Sequence, residues 1–325
     1  MDFLSADSLP WLQDAQQRLR TALAARRLPH SLLLLAAPGL GAEQLANWIT
    51  ALALCESQGQ RPCGACPSCL LLRSDSHPDS HVVRLEDGAQ QIKIDQIRGL
   101  IESLALKSYR GGYKVGVIEG AESLNASGAN AFLKTLEEPT AETVLIMIAS
   151  PNHRLPATVA SRCLRLTLRP PGTEAAVAWL EGHSASTQPW DAALSLAGGA
   201  PLLALELEAS GVAALEADMQ ECIKALADDA VDVTLLAERW MRSNPGLRIT
   251  WLENWITRRV HACLDGAAAR QSAEPVGLPA ALLKAKIRAL FKLLDDARDL
   301  RRLASTGMNQ QLALEALLLG GRSAL

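Results

Sequence analysis

The run Ser31-Leu32-Leu33-Leu34-Leu35-Ala36-Ala37-Pro38-Gly39-Leu40-Gly41-Ala42-Glu43 decides the fold. Ser31–Ala36 is too short for a buried helix and has no polar alternation, so it predicts a strand buried on both faces. Pro38-Gly39-Leu40-Gly41 breaks it with a turn. Glu43–Leu54 then carries apolar residues at helical spacing. A buried strand, a glycine turn and a helix form the opening unit of a parallel sheet with crossover helices.

The same alternation continues on both sides. Asp14–Arg27 predicts an amphipathic helix, and Ile92–Leu106 another, with Ile94, Ile97, Ile101 and Leu104 on one face. Val115–Ile118 and Val144–Ala149 predict further strands. Between them Asn125–Glu137 predicts a helix that buries Phe132, Leu133 and Leu136 and is closed by Pro139. A last short strand, Leu164–Leu168, precedes the break Pro170-Pro171-Gly172, after which the strand signal stops. Thr173–Leu180 and Asp191–Ala197 predict short helices. From about Glu206 longer helices follow, interrupted at Asn244-Pro245-Gly246 and by a loop over Ala273–Pro279. The fold class is α/β followed by all-α, with boundaries near 168 and 207 that divide the chain into 1–168, 169–207 and 208–325.

Composition agrees. A length of 325 residues suits two domains or three small ones. Hydrophobic residues at 49% and charged residues at 21% support a packed core, and aromatics at 4% make it mainly aliphatic. The net charge of −3 argues against coating nucleic acid by charge alone. No apolar run reaches the roughly 20 residues of a membrane helix, and Met1–Asp14 has no apolar signal region, so the expected location is the cytoplasm and no membrane partner is expected.

Four cysteines cluster as Cys55-x7-Cys63-x2-Cys66-x2-Cys69, while Cys163, Cys222 and Cys263 are scattered. Four thiolates with paired CxxC spacing suit tetrahedral zinc, and Pro62, Gly64 and Pro67 permit the tight turns of a metal knuckle. Four thiolates leave no open position, so the expected Zn2+ is structural. A variant with His77 or His81 replacing one cysteine has the weaker spacing.

The glycine turn stands where a nucleotide-binding loop GxxxxGK[ST] would stand, yet Ala36, Ala42 and Glu43 occupy the positions of its first glycine, its lysine and its hydroxyl residue. Pro38, Gly39, Gly41, Ala42 and Glu43 therefore read as a degenerate loop. The second strand ends in Glu119-Gly120, where a magnesium-binding Asp and a water-orienting Glu would be needed, and Gly120 cannot orient water.

Two further runs are Asn130-Ala131-Phe132-Leu133-Lys134-Thr135-Leu136-Glu137-Glu138-Pro139 and Ser161-Arg162-Cys163. Together with the inserted four-cysteine module they resemble the clamp-loader branch of AAA+ proteins, over residues 1 to about 205. The resemblance implies a RecA-like AAA+ domain (1–168) with a zinc module at about 55–69, a small helical lid (169–207) and a helical collar that oligomerises (208–325). It also implies a place in the bacterial DNA polymerase III clamp loader beside motor subunits (γ/τ) and δ, acting on the sliding clamp and on primed DNA through the assembled complex. Arg162 matches the arginine finger that family members lend to a neighbour's ATP site. In the motor subunits a Gly-x-x-Arg run of the lid also contacts nucleotide; here Gly199-Ala200-Pro201-Leu202 offers Leu202. Ser150 falls at a sensor position and reads as structural. Loss of several parts of one ATP site, with Arg162 kept, implies a subunit that has no ATPase activity of its own. The alternatives are a γ/τ-like ATPase subunit and a zinc-dependent DNA-binding regulator, for which the basic stripe Lys284, Arg288 and Lys292 would be the recognition face.

Overall fold

A computed structural model of the chain describes residues 4–322 except 87–88, 90, 152–154, 187–188, 265–279 and 304–308. The chain divides into two compact units: Met1–Trp179 with Ala200–Leu203, and Leu180–Gly199 with Ala204–Leu325.

The first unit runs α1 (Gln13–Ala24), β1 (Ser31–Leu35), α2 (Ala42–Leu54), α3 (Pro67–Arg73), β2 (Ser80–Val83), α4 (Ile94–Ala105), β3 (Lys114–Ile118), α5 (Ala126–Glu137), β4 (Thr143–Ala149), α6 (Ala157–Ala160) and β5 (Leu164–Thr167). The strands form one sheet in the order β2-β3-β4-β1-β5, and every pair is parallel. All residues of β1, β3 and β4 are buried. That is why these strands read as unbroken Leu, Val and Ile runs: a central parallel strand has helices on both faces and no solvent side. Their registers place Leu33 beside Met147 and Arg165, and Val117 beside Ile146. One face of the sheet packs Ile97, Leu100 and Leu104 of α4 and Phe132 and Leu136 of α5 into a core with Leu33, Leu145 and Met147.

The predicted strands and helices of this unit are present, with ends within a few residues. The strand β2 and the helix α3 were not expected. β2 is a four-residue edge strand paired only with β3, and Val83 alone in it is buried, so it carries almost no periodic signal. The helix α3 lies within the cysteine module and starts at Pro67, a favourable first helical position.

The chain continues through α7 (Thr173–His183), α8 (Asp191–Leu196), α9 (Pro201–Ala209), α10 (Val212–Ala227), α11 (Val233–Arg242), α12 (Pro245–Leu264), α13 (Ala280–Leu303) and α14 (Gln310–Gly321). In the second unit α8 packs on α10 and α12, α13 on α12 and α14, and α11 on α14. Trp240 and Trp251 are fully buried. Asp218 accepts from Arg248 at 2.5 Å and Arg239 at 2.7 Å and so joins α10, α11 and α12. The break at Asn244-Pro245-Gly246 separates α11 from α12: Asn244 has φ 51°, a left-handed turn, and Pro245 starts the next helix. The loop over 273–279 and the side chain of Lys284 lie outside the described residues; Arg288 and Lys292 are exposed on α13. Among the described residues no helix is long and apolar enough to cross a membrane.

Phe132 is fully buried between α5 and the sheet. Phe132→Ala is expected to lower unfolding stability by about 3–5 kcal/mol, read from the denaturant midpoint of the purified chain.

Candidate functional site

Three groups of residues in the first unit carry chemistry: the glycine turn after β1, the Ser161-Arg162-Cys163 turn before β5, and the cysteine module after α2.

The turn brings Pro38, Gly39, Gly41, Ala42 and Glu43 together at the start of α2, and Gly39 (φ 78°) and Gly41 (φ 86°) both take the left-handed backbone that glycine permits. In a phosphate-binding loop such glycines leave room for the ligand. Here the room is filled by the chain itself. A Cβ on Gly39 would lie 2.4 Å from Leu203 Cβ and 2.5 Å from Leu203 N, and one on Gly41 would lie 2.7 Å from Leu9 Cδ1. The Leu202 N–H donates to Gly39 O at 3.2 Å. Trp11 Nε1–H donates to Leu40 O at 2.9 Å, and Leu40 is buried. The indole of Trp11 meets that of Trp179 edge-on at 5.3 Å, and Trp179 Nε1–H donates to Ser8 O at 2.8 Å. Thus the N-terminal segment on one side and the start of α9 on the other cover the turn.

Glu119 directly follows β3, and burial pushes its carboxyl above its ordinary value, against the opposing pull of Arg84 at 3.5 Å. Gly120 has φ 68°, so a side chain there would be strained as well as absent. The Ser150 N–H donates to Glu122 Oε1 at 3.3 Å, a structural contact.

Arg162 sits between α6 and β5, at the edge of the sheet. Ser161 Oγ–H donates to Thr158 O at 3.2 Å and Cys163 Sγ–H to Val159 O at 3.2 Å, while Ser31 Oγ–H donates to Cys163 Sγ at 3.1 Å. Both neighbours therefore fix the turn, and burial raises the Cys163 thiol above its usual value, which suits an unreactive residue. The Arg162 guanidinium pairs with Glu137 at the end of α5: Nε–H donates to Oε1 at 2.8 Å, and Nη2–H donates to the same oxygen.

Cys55 closes α2, Cys66 caps α3 and Cys69 lies in its first turn. With Cys63 their four sulfurs lie within 4.8 Å of one another, and Cys55 and Cys66 are 3.8 Å apart. Zn–S bonds of about 2.3 Å in a tetrahedron set sulfurs about 3.8 Å apart, so the donor set fits a tetrahedral thiophilic cation. Backbone N–H groups of Cys66 and Cys69 point at Cys63 Sγ (3.3 Å) and Cys66 Sγ (3.5 Å). Hydrogen bonds from the backbone of Ala65 and Cys66 lower the Cys63 thiol to about 6, whereas burial raises Cys55 and Cys69. None of the seven cysteines is in a disulfide. His77 is not in this cluster. Its Nδ1 accepts from the Asp79 N–H at 3.1 Å, so its Nε2 carries the proton and donates to Ser68 Oγ at 3.1 Å. Ser68 in turn donates to Glu56 at 2.6 Å, and Arg110 donates to Glu56 at 2.7 Å. These hydrogen bonds tie α3 to the segment before β2, to the segment after α2 and to the loop after α4. Sequence reading missed it, as it missed Glu137, Leu9, Trp11 and Leu203, because each is an ordinary residue far in sequence from the group it serves.

The family described as "DNA polymerase III, delta subunit" matches residues 11–172. The chain is 36% identical over 259 residues to the DNA polymerase III subunit delta' of Pseudomonas aeruginosa, covering 77% of this chain and 76% of that protein. It is 32% identical over 318 residues to the subunit of the same name from Escherichia coli, covering 95% and 94%. Among solved structures, a DNA polymerase III gamma subunit-related protein of Thermotoga maritima aligns with TM-score 0.47 and 17% identity, covering 94% of this chain and 99% of that one.

The covering of the turn makes Gly39 intolerant of any side chain, because the atoms in its way belong to the Leu203 backbone and Cβ. Gly39→Ala is expected to cost about 2 kcal/mol or more. Gly99→Ala, a helical position with nothing near the added Cβ, is expected to stabilise by about 0.5–1 kcal/mol. Paired denaturation curves check both signs.

Proposed function

The chain belongs to the DNA polymerase III subunit delta' family, and from that membership we propose that it is the non-motor member of a clamp loader, lending Arg162 in trans to the ATP held by an adjacent motor subunit. The observation that carries the reading is the contrast between its two half-sites: its own nucleotide turn is covered by Leu203 and Leu9, whereas Arg162 stands at the sheet edge with its side chain 35% exposed. A permanently charged, forked guanidinium suits the oxygens of a γ-phosphate and stabilises the charge that develops as phosphate leaves. On this reading 1–168 is the AAA+ domain, 169–207 the lid and 208–325 the collar. The partners are the γ/τ motor subunits and δ, with the sliding clamp and primed DNA reached through the assembly in the cytoplasm. A γ/τ-like ATPase is disfavoured by Ala42 and by the covered turn. No observation favours a free-standing DNA-binding regulator.

The test is a loader reconstituted with motor subunits, δ and clamp. The pure chain is expected to show no ATP turnover, and Ala42→Lys not to create any, since Glu43, Gly120 and Leu202 remain. Arg162→Ala and Arg162→Lys are expected to assemble normally yet slow clamp-stimulated hydrolysis. The loss should be about tenfold, below the 10³–10⁵ of an isolated finger because other ATP sites keep theirs. Wild-type rates for both variants in an intact assembly contradict the finger role.

Zn2+ in the Cys55, Cys63, Cys66 and Cys69 site would act as a brace, its four thiolates leaving no position for substrate. Protein purified without chelator is expected to carry about one zinc equivalent and to release it on acidification, because protons compete for the thiolates. Cys66→Ser is expected to lose the metal and raise proteolytic sensitivity around 55–80 while leaving loader ATP hydrolysis close to wild type. Metal-free protein with four freely titrating thiols contradicts it.

A further inference from the structure

Glu137 ends α5 and is followed at the helix C-cap by Glu138. A carboxylate at a helix C-terminus opposes the helix dipole, so helix stability does not explain it. What Glu137 does is hold Arg162. A guanidinium has five N–H groups on three edges. Nε–H and the adjacent Nη2–H, the side edge, both donate to Glu137 Oε1. Nη1 donates to Thr158 O at 2.8 Å. That leaves one N–H on each Nη, and two such groups can together grip the oxygens of one phosphate. No described contact occupies either of them. The side chains are 35% and 49% exposed, so an ion pair in this position adds little to folding; its effect is on direction.

We propose that Glu137 is a positioning residue for Arg162: with the Thr158 carbonyl it locks the guanidinium and keeps one N–H on each Nη for the terminal phosphate of a nucleoside triphosphate bound by a neighbouring chain. This rests on the reading of Arg162 as a finger in trans. Glu137 touches no reacting atom. It removes the orientational freedom that Arg162 would otherwise lose on meeting the phosphate.

The experiment measures clamp- and DNA-stimulated ATP hydrolysis of the reconstituted loader with Glu137→Ala, Glu137→Gln, Arg162→Ala and the Glu137→Ala/Arg162→Ala double variant, after gel filtration shows intact assembly. Glu137→Ala is expected to lower kcat about threefold to fivefold with KM for ATP unchanged. Glu137→Gln keeps an accepting oxygen and is expected to recover most of the rate. The double variant is expected to match Arg162→Ala, since Glu137 acts only through Arg162. A slow Arg162→Ala with a wild-type or faster Glu137→Ala overturns the positioning role and leaves the finger standing, as does a double variant whose losses multiply. A wild-type rate for Arg162→Ala overturns the finger, and the positioning role with it.

Discussion

The backbone of Gly39 lies against the backbone of Leu203, close enough that a single added methyl has no place to go. The rest of the functional account depends on this approach. It brings the start of α9 onto the turn that begins α2, and the hydrogen bond from Leu202 to Gly39 O seals it. Trp11 seals the next carbonyl, Leu40 O. A turn whose glycines are kept for packing has the sequence appearance of a phosphate loop and a different occupant. The left-handed φ values that would shape a cradle for an anion instead let two parts of the same chain meet. Leu202, which the family resemblance sets where a motor subunit would offer an arginine, belongs to this seal.

The central sheet could be read almost whole, because strands buried on both faces write themselves as uninterrupted aliphatic runs. The edge was different. β2 has one buried residue and one partner strand, and a four-residue stretch containing Ser80 and His81 has no pattern to detect. The donor set of Cys55, Cys63, Cys66 and Cys69 was readable from spacing, since metal ligands close together in space are also close together in sequence. The braces around it were not. His77, Ser68, Glu56 and Arg110 form one hydrogen-bonded chain, but each link joins a different element, and only folding makes them neighbours. Arg162 was visible as a motif. Its partner Glu137 is 25 residues away in sequence; it showed as part of the Asn130–Pro139 run at the end of a helix, with nothing to pair it with Arg162.

On the proposed reading, these placements describe a subunit that has separated giving from taking. The groups that would take nucleotide are replaced by apolar contacts and by a carboxyl, Glu119, whose burial works against the charged form. The group that would give charge to another chain is held by a carboxylate and a carbonyl, with one N–H left on each Nη. The cysteine module follows α2, the helix that the covered turn begins, so a metal there would stiffen the element on which the seal is built.

The central claim is that the covered turn takes no nucleotide. Isothermal titration calorimetry of the pure, metal-replete chain with Mg-ATP tests it most directly. The account predicts no saturable heat into the millimolar range, with Trp11 fluorescence equally unmoved. Saturable binding of one Mg-ATP, with Trp11 and Trp179 reporting displacement from the turn, would contradict it.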